Sequence, residues 1–367
     1  MSVIFTPWRL GSLTLPNRLV RSATWEGMAN DEGFMTPEIL ELYRRLAGGG
    51  VGLIVTGYAY VLPNGKGLPH QLGVFSDAHM DGLARLAEAI HEEGGRVLLQ
   101  LVHAGGQTDY KTTGADELIA PSAVPYPSHN VTPRAIGTGE IPMLVEAFAL
   151  AARRAMEAGY DGVQLHAAHG YLINRFLSPA SNRRSDAYGG DIAKRARFGV
   201  EVLRAARSAT VPGFPLSVKL NGEDFEPDGL GIEEALIAAQ LFVEAGAEHI
   251  EVSGGTPAAA KNGPVRLGIT REREAYFREH AKAVKRAVNV PVGTVGGIRS
   301  FEVAEELLAT GVADSLAMAR PLVCEPDLPL RWLRGDRAPS LCRSDSRCFV
   351  AGLKGGIRCV TREEGLV

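Results

Sequence analysis

Short apolar runs alternate with longer amphipathic stretches along the whole chain. The runs that read as strands are Leu19–Ala23, Gly52–Gly57, Val97–Val102, Gly162–His166, Leu216–Leu220, His249–Val252, Val292–Val295 and Ser315–Met318. Between them the spacing turns helical. Asp77–Glu93 carries Leu83, Leu86, Ala87 and Ile90 on one face, as a helix packed on a core requires. Thr36–Ala47 opens on Thr36-Pro37, a capping residue followed by a proline in the first turn. Leu144–Ala158, Ala196–Ser208, Ile232–Ala245, Glu272–Val288 and Phe301–Ala309 repeat the pattern. Ala158-Gly159, Ala245-Gly246 and Thr310-Gly311 supply glycines for left-handed helix ends.

Eight strands that each feed a helix predict an α/β protein, a closed parallel (β/α)8 barrel of the TIM type. It forms one domain over residues 1–367, with 335–367 as a C-terminal tail. A doubly wound open sheet is the alternative, weakened because no Gly-x-Gly-x-x-Gly follows the first strand. Trp8–Leu15 reads as a hairpin with a Gly-Ser turn that plugs the lower barrel end. Ala104–Pro142, after the third strand, is long and rich in Gly, Pro, Thr and Ser; it is expected at the substrate entrance.

Composition adds exclusions. At 367 residues, 45% hydrophobic and 22% charged, the chain is a globular protein with ample core. A net charge of -3 offers no field for nucleic acid, and no apolar run reaches membrane-spanning length. The N-terminus lacks a charged-then-apolar leader, so a cytoplasmic location is expected. Association of identical copies is left open. Of four cysteines, Cys342, Cys348 and Cys359 crowd into the tail and Cys324 stands apart; so few thiols fit a reducing compartment.

The chemistry gathers at the carboxyl ends of the strands, where barrels of this type place their sites. His166, His169 and Tyr171 end the fourth strand and enter its loop. Paired imidazoles can bind a carbonyl or anionic oxygen, and a neighbouring phenol can deliver a proton. Around them stand Ser22, Ala23, Thr24 and Trp25 after strand one, Gly57 and Tyr58 after strand two, and Gln100 and His103 on strand three. Lys219 ends strand five, Gly296 and Gly297 follow strand seven, and Ala319-Arg320 follows strand eight. No catalytic acid, metal cage or activated serine stands out. Glycines after strand seven and an arginine after strand eight suit a phosphate, and the whole suits a flat polar cofactor with a phosphate tail.

These residues carry a resemblance. Pro16-Asn17-Arg18-Leu19-Val20, Gln100-Leu101-Val102-His103-Ala104-Gly105, His166-Ala167-Ala168-His169-Gly170-Tyr171-Leu172 and the run Phe176–Gly190 resemble the Old Yellow Enzyme family, as do Gly293–Gly297 and Ala319-Arg320-Pro321. The resemblance runs from about residue 3 to the C-terminus. It implies an FMN-dependent ene-reductase that takes reducing equivalents from NADPH or NADH. It also implies roles. Gln100 bonds the flavin pyrimidine edge, and Lys219 stabilises the reduced anion near N1. Ser22, Ala23, Thr24 and Gly57 lie against the ring. Gly296, Gly297, Ala319 and Arg320 take the phosphate. His166 and His169 hold the substrate carbonyl, Tyr171 protonates the α-carbon, and Trp25 shapes the substrate pocket.

Three departures accompany it. Trp25 stands where relatives often carry Thr or Cys against the flavin edge. Lys219 replaces the usual Arg and loses the fork geometry. Larger relatives bind an iron–sulfur cluster through a Cys-rich segment, but Asp345 takes the second ligand position, so the tail reads as a relic without a cluster. Taken singly, each residue has a plainer role: core histidines, a packed tyrosine, a wall-paired Arg320, turn glycines. Arg183 and Arg184 meet either a nicotinamide phosphate or solvent. Two other functions compete: a flavin-dependent amine dehydrogenase, and a flavin- or phosphate-binding barrel without turnover.

Overall fold

The computed structural model describes residues 2–126 and 128–367; Pro127, within the long loop, lies outside the described residues. Eight parallel strands form the centre: β1 (Leu19–Arg21), β2 (Leu53–Val55), β3 (Val97–Val102), β4 (Gly162–Ala167), β5 (Leu216–Asn221), β6 (His249–Ser253), β7 (Val292–Thr294) and β8 (Ser315–Met318). Each pairs with the next, and β8 pairs back onto β1 through Leu316↔Leu19 and Met318↔Arg21. The sheet is therefore a closed barrel, as the alternation of runs predicts. Helices α1 (Pro37–Gly48), α2 (Met80–Glu92), α3 (Ile141–Glu157), α4 (Ile192–Ala209), α5 (Ile232–Glu244), α6 (Arg278–Ala287) and α7 (Phe301–Ala309) connect the strands, and α8 (Leu328–Leu333) follows β8.

Strand alternation sorts side chains into two environments. Val163, Leu165, Val218, Leu220, Ile250 and Val252 face outward into the core between sheet and helices, which Phe148, Phe198 and Phe242 fill. Phe198 stacks on Phe176 at 4.4 Å; truncating a phenylalanine so buried costs about 3–5 kcal/mol. The alternate residues point into the barrel. Its lower end is apolar, closed by Trp8, Leu10 and Leu15 of the N-terminal hairpin against Val20, Val55, Leu98 and Ala317. The plug expected of Trp8–Leu15 is thus in place. The upper interior is polar, and this is where the site lies.

Three stretches depart from the sequence reading. The helix expected over Glu272–Val288 begins only at Arg278. The chain breaks before it because Glu274 turns its carboxylate to the start of α7, accepting from Arg299 N at 2.9 Å, Ser300 N at 3.0 Å and Ser300 Oγ at 2.5 Å. Those amides have no partner inside the helix. Leu172–Leu177, in the loop after the fourth strand, is a short, fully buried helix that stops ahead of Pro179. Helix α8 lacked a clear sequence pattern; it is fixed by Trp332, buried edge-on against Phe301 at 5.7 Å.

Candidate active site

Two parallel registers assemble the polar interior. Gln100 sits beside Gln164, Gln164 beside Ser217, and Ser217 beside His249. His166 sits beside Lys219, and Lys219 beside Glu251. A period of two on each strand therefore aims all of them into the barrel.

His166, His169 and Tyr171 meet at the top of β4. The His166 ring lies 5.1 Å from that of His169 and 4.6 Å from that of Tyr171. His169 and Gly170 both hold left-handed backbone, φ 61° and 85°, a conformation a histidine adopts only when its surroundings impose it. Here they do. Asn221 Oδ1 accepts from His169 N at 3.2 Å, and Asn174 Oδ1 accepts from Gly170 N at 2.7 Å. Both asparagines donate to Asp224 Oδ1, at 2.8 and 3.0 Å, and Asp224 is fully buried.

The imidazoles are oriented by their other contacts. His166 Nδ1 accepts from Ala168 N at 3.3 Å, which leaves Nε2 as the N–H. His169 Nε2 pairs with Ser253 Oγ at 2.7 Å, which leaves Nδ1. Burial, then the neighbouring His169 and Lys219, holds His166 well below its ordinary pKa; burial and Lys219 do the same for His169. Both are neutral at pH 7. Tyr171 shares a cluster with Trp25, Tyr58 and Val102. Its ring is 5.4 Å from that of Tyr58. Burial raises both phenols, so both keep their protons.

The profile of the NADH:flavin oxidoreductase / NADH oxidase family matches residues 3–337. The chain belongs to that family. Among its relatives, an NADH oxidase of Thermoanaerobacter brockii is 36% identical over 90% of this chain and 51% of its own length. A metal reductase of Desulforamulus reducens is 36% identical over 91% of this chain and 49% of its own. The chain thus spans about half the length of these two. An NADPH dehydrogenase of Geobacillus sp. is 36% identical over 89% of this chain and 93% of its own. Among solved structures, a 2-naphthoyl-CoA reductase in complex with 2-naphthoyl-CoA superposes with TM-score 0.90 at 27% identity, over 97% of this chain and 56% of that one. Morphinone reductase in complex with tetrahydroNAD gives 0.76 at 28%, over 91% of each chain.

A flavin oxidoreductase barrel needs a place for the ring and one for the phosphate. Gln100 is fully buried and donates through Nε2 to Gln164 Oε1 at 2.6 Å, while its Oε1 has no partner among the described residues. That orphaned acceptor fits an imide N–H, a donor the flavin pyrimidine carries. Gly296 and Gly297 hold φ 132° and 76°, and a Cβ on Gly297 would lie 3.0 Å from the Tyr276 ring and 3.1 Å from Ile269. Side chains are excluded from this cradle. Arg320 stands beside it, steadied by Ser344 O at 3.1 Å and Ser346 Oγ at 3.0 Å through one nitrogen, with its other donors left for an anion. These residues fit FMN.

Other expected contributors are placed differently. Gly57 N already donates to Glu26 Oε1 at 2.9 Å and to Tyr43 OH at 2.7 Å, so it offers space and a carbonyl only. Ser22 N closes the barrel onto Met318 O at 3.0 Å, and Thr24 Oγ1 turns back to Ser22 O at 3.0 Å. Ala23 and Ala319 stand at the ends of β1 and β8. Trp25 is buried, donates to Pro69 O at 3.0 Å and stacks aslant on Phe349 at 5.5 Å, so the tail backs the pocket wall. Arg184 serves neither a phosphate nor solvent: it pairs with Asp186 and bonds Pro121 O, joining the loops after β3 and β4. His103 is structural, accepting from Gly105 N at 3.0 Å. In the long loop, Val124 and Tyr126 line a cleft of about 480 Å³ with Arg175, Glu226 and Pro257; His166, His169 and Tyr171 do not line it.

Cys324 is not apart. It lies near Cys359, and Cys359 in turn neighbours Cys342 and Cys348. Burial raises the thiols of Cys324, Cys342 and Cys348. Among the described residues no group of three or more His, Cys, Asp or Glu side chains has metal-holding geometry, and no helix is long and apolar enough to cross a membrane.

Two groups escaped the sequence reading. Tyr58 was placed at the end of strand two without a role, yet it faces Tyr171. A buried acid is also present: Glu251, 1% exposed, paired with Lys219 Nζ at 2.9 Å. The alternation His249-Ile250-Glu251-Val252-Ser253 carried that signal.

Proposed function

We propose that this chain reduces the carbon–carbon double bond of α,β-unsaturated carbonyl compounds, with FMN as cofactor and NADPH or NADH as reductant. The observation that carries the reading is the neutral, oriented pair His166 and His169 beside a protonated Tyr171 at the mouth of a flavin oxidoreductase barrel. FMN, when bound, supplies the hydride chemistry. The two imidazole N–H groups receive the substrate carbonyl oxygen and stabilise negative charge as it develops there. Because neither is charged, they bind a carbonyl without attracting a counter-ion. Tyr171 holds the proton for the α-carbon, and Tyr58 beside it orients that hydroxyl. Gln100 and Lys219 hold the pyrimidine edge; Gly296, Gly297 and Arg320 hold the phosphate. A 2-naphthoyl-CoA reductase and morphinone reductase among the structural neighbours agree with reduction of conjugated systems.

The test is direct. The purified protein is reduced anaerobically with NADPH or NADH and mixed with cyclohexenone. Reoxidation of the flavin with formation of cyclohexanone supports the reading. A flavin reduced by NAD(P)H and reoxidised by oxygen but not by any enone refutes it. Release of FAD rather than FMN on denaturation refutes the cofactor assignment.

A further inference from the structure

We propose that Glu251 is a positioning residue that sets both the charge and the hydrogen-bond polarity of the flavin site, through Lys219 on one side and Gln164 and Gln100 on the other. The proposal rests on the FMN reading above. The Glu251 carboxylate is enclosed inside the barrel. Its Oε1 accepts from Lys219 Nζ at 2.9 Å and from Ser22 Oγ at 2.7 Å, and its Oε2 accepts from Gln164 Nε2 at 3.1 Å. Burial alone would raise its pKa, but the Lys219 charge and the bonds from Lys219, Ser22 and Gln164 outweigh burial and lower it. It is a carboxylate, not an acid.

That charge has two consequences. Lys219 is 4% exposed and Glu251 1%, so the pair is close to neutral as a unit. A cation that would otherwise favour electron-rich flavin is largely offset, and the flavin potential lies lower than Lys219 alone would set it. The second consequence concerns direction. A carboxylate only accepts, so Gln164 must turn its NH₂ toward Glu251. Its carbonyl oxygen then faces Gln100 and takes the Gln100 NH₂ at 2.6 Å. Gln100 is left presenting oxygen. An imide N–H needs an acceptor, so the charge on β6 dictates the correct amide orientation on β3, three strands away. A neutral amide at position 251 would remove that directionality.

Glu251→Gln and Glu251→Asp are compared with the parent as FMN holoenzymes, by dye-equilibrated midpoint potential and by FMN dissociation. Glu251→Gln is expected to shift the potential positive and to weaken FMN binding; Glu251→Asp keeps the charge and restores the potential toward the parent. A Glu251→Gln potential equal to the parent's overturns the charge role. Gln164→Met cuts the amide relay while sparing the Lys219–Glu251 pair. It is expected to weaken FMN binding about tenfold, the loss of one buried hydrogen bond, with the potential unmoved. Unchanged FMN binding in Gln164→Met overturns the polarity role, and this variant decides that role even if Glu251→Gln does not fold. Parent protein that binds no FMN would instead refute the underlying function.

Discussion

His169 Nε2 lies 2.7 Å from Ser253 Oγ, and this contact decides which nitrogen of the ring is left for a ligand. With Ser253 donating, Nε2 is the acceptor and Nδ1 carries the proton. His166 has the complementary arrangement, its Nδ1 occupied by Ala168 N and its Nε2 free. In that tautomer the pair presents two N–H donors from two different ring positions. Phenolates, which mimic a polarised enone oxygen, report on them. His166→Ala combined with His169→Ala is expected to weaken phenolate binding at least tenfold and to abolish its charge-transfer band while FMN content holds. Ser253→Ala frees the His169 tautomer and is expected to weaken phenolate binding less, about fivefold. Normal phenolate titration of the double variant would remove the histidines from the site.

Lys219 lies under the same electrostatic logic with the opposite sign. Lys219→Met leaves Glu251 buried and without its cation, held only by Ser22 and Gln164. The midpoint potential should fall, and FMN retention should weaken, because an uncompensated buried carboxylate opposes the charge of reduced flavin. Dye equilibration and FMN dissociation measure the two effects. A potential that stays put with full FMN occupancy places the lysine away from the ring.

Much of this was legible in the chain, and the reasons are local. Strand periodicity fixed the barrel because Val163 and Leu165 must face helices while Gln164 and His166 face inward. The His166–Tyr171 motif was compact enough to read directly. Glu251 was not, because one carboxylate in an apolar run has no meaning until β5 places Lys219 beside it. Cys324 looked isolated for a similar reason: 35 positions separate it from Cys359 in sequence, 359 minus 324, and only the fold of the tail closes that gap. Asn174, Asn221 and Asp224 were equally silent, since their role is to hold a strained turn, and strain leaves no composition signal. The late start of α6 depended on a carboxylate reaching another helix.

Buried histidines give the fold a definite pH dependence. His103 and His249 are both depressed to about 4 by burial from an ordinary value of 6.5. Below pH 6.5 the unfolded chain binds protons that the folded one refuses, so stability rises with pH across that window. The contribution is fully present above pH 6.5 and is lost as pH falls toward about 4. By pH 5 the loss amounts to roughly 2 kcal/mol for each residue. Urea unfolding at pH 7, 6 and 5 should show a steady decline, and His249→Asn should make it shallower by one histidine's share. A constant unfolding free energy over that range contradicts the burial argument.

Under the proposed function, Tyr171 and Tyr58 have different shares in the proton chemistry. Their rings are 5.4 Å apart, and both face His166, the Tyr171 ring at 4.6 Å and the Tyr58 ring at 5.9 Å. In the proposed reaction the nearer phenol, Tyr171, is the donor and Tyr58 its support. Tyr171→Phe keeps the ring and deletes the acid. Reduction of the flavin by NAD(P)H should stay near normal, while reoxidation by an enone should slow by about 10²–10⁴-fold, the range of a lost general acid. Tyr58→Phe should slow the same half-reaction by about tenfold or less, because a hydroxyl that orients the donor contributes one hydrogen bond rather than the proton. Nitroalkenes should be affected least in both variants, since their carbanions survive long enough to take a proton from water. Stopped-flow records of the two half-reactions separate these outcomes. Equal slowing of both half-reactions in Tyr171→Phe, or a larger effect from Tyr58→Phe, would reassign the donor.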